Sequence, residues 1–292
     1  MKEVYLYQKL DDKKVRCQNC AHYCLINFGK RGICQVRENQ DGVLYALNYG
    51  KVVAINIDPI EKKPLLHFLP GTKSLSFGTV ACNFKCDNCQ NWDISQRLRE
   101  GGEIEGEEFL PERIIEIAKE NNLPSISYTY NEPAIFSEYA FDVMEIARKE
   151  NLKNIWVTNG FWSRELFDLI SPYLNAANVD LKGFSDDFYN RYCGGKLKPV
   201  QDTLERLKRK NIWLEITTLI IPGINDSEET LKNIAEYIKN ELGDETPWHV
   251  ARFFGNVSWK MRRTPDTPIE ILNRAQEIGK AAGLKYVYIG NV

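Results

Sequence analysis

No run of apolar residues in this 292-residue chain is long enough to cross a bilayer, and its first stretch, M-K-E-V-Y-L-Y-Q-K-L-D-D-K-K, lacks the apolar core of a secretion signal. A cytoplasmic protein with no membrane partner is expected. An excess of either charge is missing as well: 38 Lys and Arg face 40 Asp and Glu, a net charge of −2. That balance creates no global basic field, so nucleic acid is not expected as an obligate partner, although a local basic patch stays compatible with it. Internal repeats and low-complexity tracts are absent too. The length suits one barrel-sized domain with an appendage and is short for two catalytic domains.

Cysteine, by contrast, is concentrated. Seven of the eight cysteines fall in two tight groups in a chain without a secretion signal, which favours metal sites over disulfides. Cys82, Cys86 and Cys89 form C-x3-C-x2-C directly after an apolar run, Leu75 to Val80, that reads as a buried strand. Three converging thiolates repel one another unless they fold around a soft cation. Zinc normally takes a fourth ligand, and none lies nearby in the sequence; an iron–sulfur cube held by three cysteines leaves one iron open to an outside ligand. The second group, Cys17, Cys20, Cys24 and Cys34, has the spacing C-x2-C-x3-C-x9-C, with Gly29 and Gly32 supplying turns. Four thiolates close a tetrahedral site, so a structural zinc and a second iron–sulfur cluster both fit this knuckle.

Residues 1–73 are expected to form the metal knuckle and a hairpin in which Val43–Asn48 and Val52–Ile57 flank Tyr49-Gly50-Lys51. Over residues 74–292, strand-like segments at Leu75–Val80, Ser125–Tyr130, Ile155–Thr158, Ala177–Leu181, Trp213–Ile221, Trp248–Phe253 and Tyr286–Ile289 alternate with helix-like ones. The helical segments are Pro111–Asn121, Pro133–Asn151, Arg164–Ile170, Val200–Lys210, Ser227–Glu241 and Ile269–Ala282. Alternation of this kind predicts an α/β fold with a parallel sheet and right-handed crossovers. Six or seven units suit a partial parallel (β/α)6-type TIM barrel better than a closed eightfold one.

The C-x3-C-x2-C loop after a first barrel strand resembles the signature of the radical S-adenosylmethionine (SAM) enzymes. The resemblance implies a 4Fe-4S cluster on Cys82, Cys86 and Cys89, SAM chelated at the open iron, and one-electron cleavage of SAM to a 5′-deoxyadenosyl radical. One position departs from the family: the residue before the last cysteine is commonly aromatic and here is Asn88, whose backbone is left to meet the adenine. Functional groups of parallel barrels gather at the carboxyl ends of strands. Tyr130-Asn131-Glu132 ends the second strand and resembles the family's Gly-Gly-Glu-type motif. Backbone contacts from Tyr130 and Asn131 and a carboxylate contact from Glu132 to the SAM amino group are thereby implied; capping of the helix begun by Pro133 is the alternative for Glu132. Thr158 and Asn159 lie in V-T-N-G, similar to the D-T-N-G of glycyl-radical-enzyme activases but with valine for aspartate, so hydrogen bonds to the SAM ribose or carboxylate are implied and the activases' cation site is not. Asn178, Asp180 and Lys182 alternate and so share one face, where an unpartnered buried ion costs on the order of several kcal/mol. The D-x-K resembles the activases' motif that sets the lysine near the methionine carboxylate, which makes Asp180 and Lys182 catalytic candidates beside the three cysteines; a simple ion pair is the alternative. Thr217 and Ile221 are implied to border the adenine, and His249 to contact cofactor or substrate. Cys193, beside Gly194-Gly195, belongs to neither cysteine group.

Three further stretches, His67-Phe68-x-Pro70-Gly71-Thr72, Trp248-His249-x-x-Arg252-Phe253 and Val287-Tyr288-Ile289-Gly290-Asn291, together with the four-cysteine knuckle, look like the radical SAM component of the AmmeMemoRadiSam system. That resemblance implies Memo-like and AMMECR-like partners, and the family implies an electron donor of flavodoxin or ferredoxin type. Two other functions remain: a glycyl-radical-enzyme activating enzyme, and a catalytically silent scaffold whose metals are structural.

Overall fold

A computed structural model describes residues 1–292. Eight strands make the main sheet: β1 (Ala54–Pro59), β2 (Lys73–Gly78), β3 (Ser125–Tyr128), β4 (Lys153–Thr158), β5 (Ala176–Asp180), β6 (Trp213–Ile220), β7 (Trp248–Arg252) and β8 (Val287–Gly290). From β2 to β7 the strands are buried at nearly every position, rather than every second one, and so are covered on both faces, whereas β1 and β8 are part-exposed. Their spatial order follows the sequence from β1 to β8. Strands β2 to β8 are parallel throughout, and β1 is antiparallel to β2. Parallel neighbours require crossovers, which are supplied by α1 (Pro111–Glu120), α2 (Ser137–Lys149), α3 (Arg164–Ile170), α4 (Leu197–Arg209), α5 (Glu228–Tyr237) and α6 (Ile269–Ala281). Pro111 sits in the first turn of α1, where its missing N–H is no loss. Side-chain caps from Ser163 and Ser227 start α3 and α5. No helix is long and apolar enough to cross a membrane.

The expected alternation is present, but the sheet has seven parallel strands and an antiparallel edge, and β1 and β8 are not paired with each other. It is therefore open, with a lateral gap between two edge strands. Residues 60–68 pack on the middle of the sheet: Ile60 and Leu65 meet Ile155 of β4 and Ala176 of β5, with Phe68 against them.

Two expectations for the N-terminal region are corrected. The hairpin does not form: Val43–Ala46 pairs with Arg37–Gln40 and Lys2–Glu3, while Ala54–Pro59 joins the main sheet through Ile55↔Phe77 and Ile57↔Leu75. The better partner for the second segment was a buried strand, not its neighbour in sequence. Nor is there a formed cysteine knuckle: here, as at Cys82, Cys86 and Cys89, no three His, Cys, Asp or Glu side chains converge at metal-holding distance. Burial pushes the Cys17 thiol up to about 12 and the Cys20 thiol well above its usual range. Cys17 consequently packs as a small apolar residue with Val4, Val15 and Ile26. The four cysteines do line one small cavity of about 20 Å³. This region is fastened to α2 by a buried ion pair, Arg37 to Glu138 at 2.8 Å, with Arg37 also donating to Ser137 Oγ.

Candidate functional site

The loop after β2 is held by contacts from several parts of the chain. Gly78 is required at its root, since a Cβ there would stand 2.4 Å from the Thr129 carbonyl oxygen. Ala81 then takes a left-handed φ of 83°, with its N–H on Ile94 O and its carbonyl accepting from Asn131 Nδ2 at 2.7 Å. Lys85 N donates to Cys193 O, Asp87 N to Tyr192 O, and Trp259 N to Cys89 O. Arg99 adds hydrogen bonds to the carbonyls of Cys82 and Phe84. The result holds Cys82, Cys86 and Cys89 on one wall of a cavity of about 960 Å³ above the carboxyl ends of the strands. Burial raises the Cys82 thiol well above its ordinary range and Cys89 to about 11; for Cys86 the neighbouring Cys193 thiol acts first and burial second.

Beside the loop, the ends of β3 and β4 form one polar unit. Glu132 is buried and accepts from Ala134 N, Asn159 N, Thr158 Oγ1 and Trp162 Nε1 at 2.7–3.2 Å. It caps the 3₁₀ turn Pro133–Phe136 and also organises the V-T-N-G turn. Burial lifts its carboxyl to about 7 against these donors. Asn159 extends the unit to the cysteine loop: Nδ2 donates to Asn83 Oδ1 at 2.7 Å and lies 3.9 Å from Cys82 Sγ. Tyr130 has a left-handed φ of 69°, accepts from Asn91 Nδ2 at its carbonyl, and donates its hydroxyl to Asp58 at 3.0 Å.

Asp180 and Lys182 form an ion pair at 2.7 Å on the cavity wall. Burial alone would lower the Lys182 ammonium, but Asp180 and the Cys86 and Cys193 sulfurs hold it well above the usual range. Thr217 Oγ1 donates to Asn178 Oδ1, whose amide reaches Pro64 O. His249 Nε2 lies 2.7 Å from Glu215 Oε2, and the same fully buried carboxylate accepts from Leu66 N, His67 N and Trp213 Nε1. Tyr288 stacks on His249 and its hydroxyl is 2.8 Å from His67 Nε2.

The cavity thus gathers Cys82, Cys86, Asn88, Cys89, Tyr130, Asn131, Glu132, Thr158, Asn159, Asp180, Lys182, Thr217 and His249. Ile221 is not among them. It packs with Phe253 and Met261 beyond the end of β6, and Leu219 lines the cavity instead. Sequence reasoning missed Asp58, Lys63 and Tyr288. Lys63 is buried, bonds Asp58 at 2.8 Å, and lies over the Tyr130 ring; the only signal was the charged run Glu61-Lys62-Lys63 beside an apolar stretch.

A sequence-family model described as the radical SAM superfamily matches residues 77–238, from the cysteine strand to the end of α5. This chain belongs to the radical SAM superfamily. It is 46% identical over its whole length, and 86% of the relative's, to an uncharacterized protein of Methanocaldococcus jannaschii. It is 22% identical to a pyruvate formate-lyase-activating enzyme of Clostridium pasteurianum, over 62% of this chain and 76% of the other. Among solved structures, a radical SAM methyltransferase from Sphaerobacter thermophilus shares the fold with a TM-score of 0.58 at 15% identity, over 76% of this chain and 67% of that one. A domain of a pyruvate-formate lyase-activating enzyme from Bacteroides vulgatus gives 0.50 at 16% identity, over 57% and 99%.

Membership in the radical SAM superfamily implies a 4Fe-4S cluster and SAM, and the residues fit both. Three soft sulfur donors share the cavity wall, which suits a cluster with one open iron. Lys182, paired with Asp180 at 2.7 Å, and the Glu132 carboxylate line the same cavity, a cation and acceptors that suit the carboxylate and amino groups of SAM.

Proposed function

We propose that this protein is a radical SAM enzyme that cleaves SAM reductively and uses the resulting radical to modify a substrate in the lateral gap. The observation that carries the reading is that Cys82, Cys86 and Cys89 line one cavity together with the Asp180–Lys182 ion pair and the Glu132–Thr158–Asn159 unit. When bound, the cluster and SAM supply one-electron cleavage of the sulfonium to a 5′-deoxyadenosyl radical. Cys82, Cys86 and Cys89 hold the cluster. Asn159 donates toward Cys82, and Lys182, steadied by Asp180, presents a cation for the methionine carboxylate. Tyr130, Asn131, Thr158, Thr217 and His249 shape the rest of the nucleoside site, and Glu132 orients the V-T-N-G turn.

The finer assignment is the radical SAM component of the AmmeMemoRadiSam system, acting with Memo-like and AMMECR-like proteins and a flavodoxin- or ferredoxin-type donor. Its support is that the stretches carrying that resemblance meet around one residue: His67, His249 and Tyr288 gather at Glu215. Cys17, Cys20, Cys24 and Cys34 are proposed to take zinc or a second iron–sulfur cluster, drawn together by the metal across the cavity they already share. The named activating enzymes among the relatives support a second reading, hydrogen abstraction from a glycyl-radical protein.

The test is anaerobic reconstitution, a count of iron and labile sulfide, and incubation with SAM and a strong reductant. Formation of 5′-deoxyadenosine is expected, abolished by Cys86→Ala and retained by Cys20→Ala, which instead lowers the melting temperature. Protein holding zinc without labile sulfide would establish the silent scaffold.

A further inference from the structure

We propose that Lys63 is a covalent substrate site, its amine condensing with the carbonyl carbon of a small aldehyde or ketone to form an imine. What becomes of the tethered molecule rests on the SAM-cleaving reading, whereas the imine itself needs neither cluster nor SAM. Three lysines line the cavity: Lys62, Lys63 and Lys182. Lys182 is engaged by Asp180, and Lys62 has 68% of its side chain exposed. Lys63 is only 4% exposed, and of its three donors one meets an acceptor, Asp58 Oδ2 at 2.8 Å. Pro59, Pro64 and Leu66 of the same segment line the cavity with it, and the centroid of the Tyr130 ring is 5.0 Å away. Burial pulls the ammonium below its ordinary range against the hold of Asp58, and Lys62 adds to the fall. A neutral amine has the lone pair that an ordinary protonated lysine lacks.

Asp58 does not depend on Lys63 for its counter-charge. Lys62 Nζ stands 3.4 Å from Oδ1, and the Tyr130 hydroxyl donates to Oδ2 at 3.0 Å. One carboxylate oxygen therefore touches both the amine and the phenol, and Asn56 Nδ2 donates to the phenol oxygen at 3.0 Å. This is the equipment that condensation requires. Two N–H bonds and the C=O bond break, the C=N bond and the two O–H bonds of water form, and no electron is gained or lost overall. Asp58 and Tyr130 stand where those protons pass from nitrogen to oxygen, and water hydrolyses the imine by the same route in reverse. Asp58 belongs to β1, the strand at one edge of the lateral gap, and Tyr130 follows β3 two residues before Glu132. A molecule tethered to Lys63 is thus kept in the cavity that Cys82, Cys86 and Cys89 line, where a radical made there finds it already oriented.

Wild type and Lys63→Arg, which keeps a cation for Asp58, are incubated at about pH 7 with pyruvate and separately with dihydroxyacetone, each with sodium cyanoborohydride, and the reduced adducts are located by peptide mass mapping. Lys62, next in the chain and exposed, is the internal reference. With at least one of the two carbonyl compounds, labelling of Lys63 is expected to exceed that of Lys62 about tenfold, and Lys63→Arg should retain only the Lys62 background. Equal labelling of the two lysines overturns the site, as does the absence of an adduct at Lys63 with both compounds. The wild-type map decides the matter by itself if the arginine variant does not fold. 5′-Deoxyadenosine is assayed in parallel on reconstituted wild type. Selective labelling in protein that does not cleave SAM leaves the imine site standing and speaks against the SAM-cleaving reading, and cleavage by protein whose Lys63 stays unlabelled does the reverse.

Discussion

Glu132 is a carboxyl whose burial dominates over four donors, so its folded value of about 7 lies above the unfolded one. A raised acid stabilises the fold when protonated: the contribution is complete below pH 4.5 and lost as the pH climbs through 7. With a shift of this size the loss is about 3 kcal/mol. Glu132→Gln, neutral at every pH, is expected to lack that decline. Urea unfolding of both proteins from pH 4.5 to 8 would check it, and parallel curves would show that Glu132 is ionised throughout. Glu215 works in the opposite sense: burial raises it, but His249, Leu66 N, His67 N and Trp213 together hold it below its ordinary range. Glu215→Ala leaves these donors buried without an acceptor and is expected to cost about 3–5 kcal/mol in the same assay. Residues 60–68 should then become protease-sensitive before the rest of the chain.

At the scale of the element, the cysteine loop depends on close packing that tolerates no added atom. A Cβ at Gly195 would stand 2.4 Å from the Phe84 ring, inside the loop, and one at Gly78 would meet backbone. Gly78→Ala is therefore expected to destabilise by about 1–3 kcal/mol and to lower the iron retained after reconstitution, whereas Gly223→Ala, with open space around it, should cost only its backbone strain. The loop and the parallel strands were legible because their signals are local: cysteine spacing is covalent, and most of β2 to β7 are short stretches with β-branched or aromatic residues set between helix-like runs. Residues 54–59 misled because a strand's partner is chosen by buried surface at a distance, here Leu75 and Phe77. Asp58, Lys63 and Tyr288 were missed for a related reason. They come from the two edges of the sheet and form a site only when it curls. Ile221 was misplaced by a single position at a strand end: β6 stops at Ile220, and the next side chain turns toward Phe253.

For the molecule as a whole, the strand order divides it into a doubly covered middle and two edges. Amide exchange should be slowest in β3 to β6, flanked on both sides by parallel neighbours, and faster in β8 and in Ala54–Pro59. Equal protection across all eight strands would mean that the two edges are closed upon each other in solution. The cysteine loop belongs to the protected part. Its shape is set by Gly78, Asn131, Arg99 and the backbone bonds to residues 192, 193 and 259. Bonds from outside the three cysteines thus share in holding the receptacle, so clipping away Arg99 or Asn131 should loosen it without touching a sulfur.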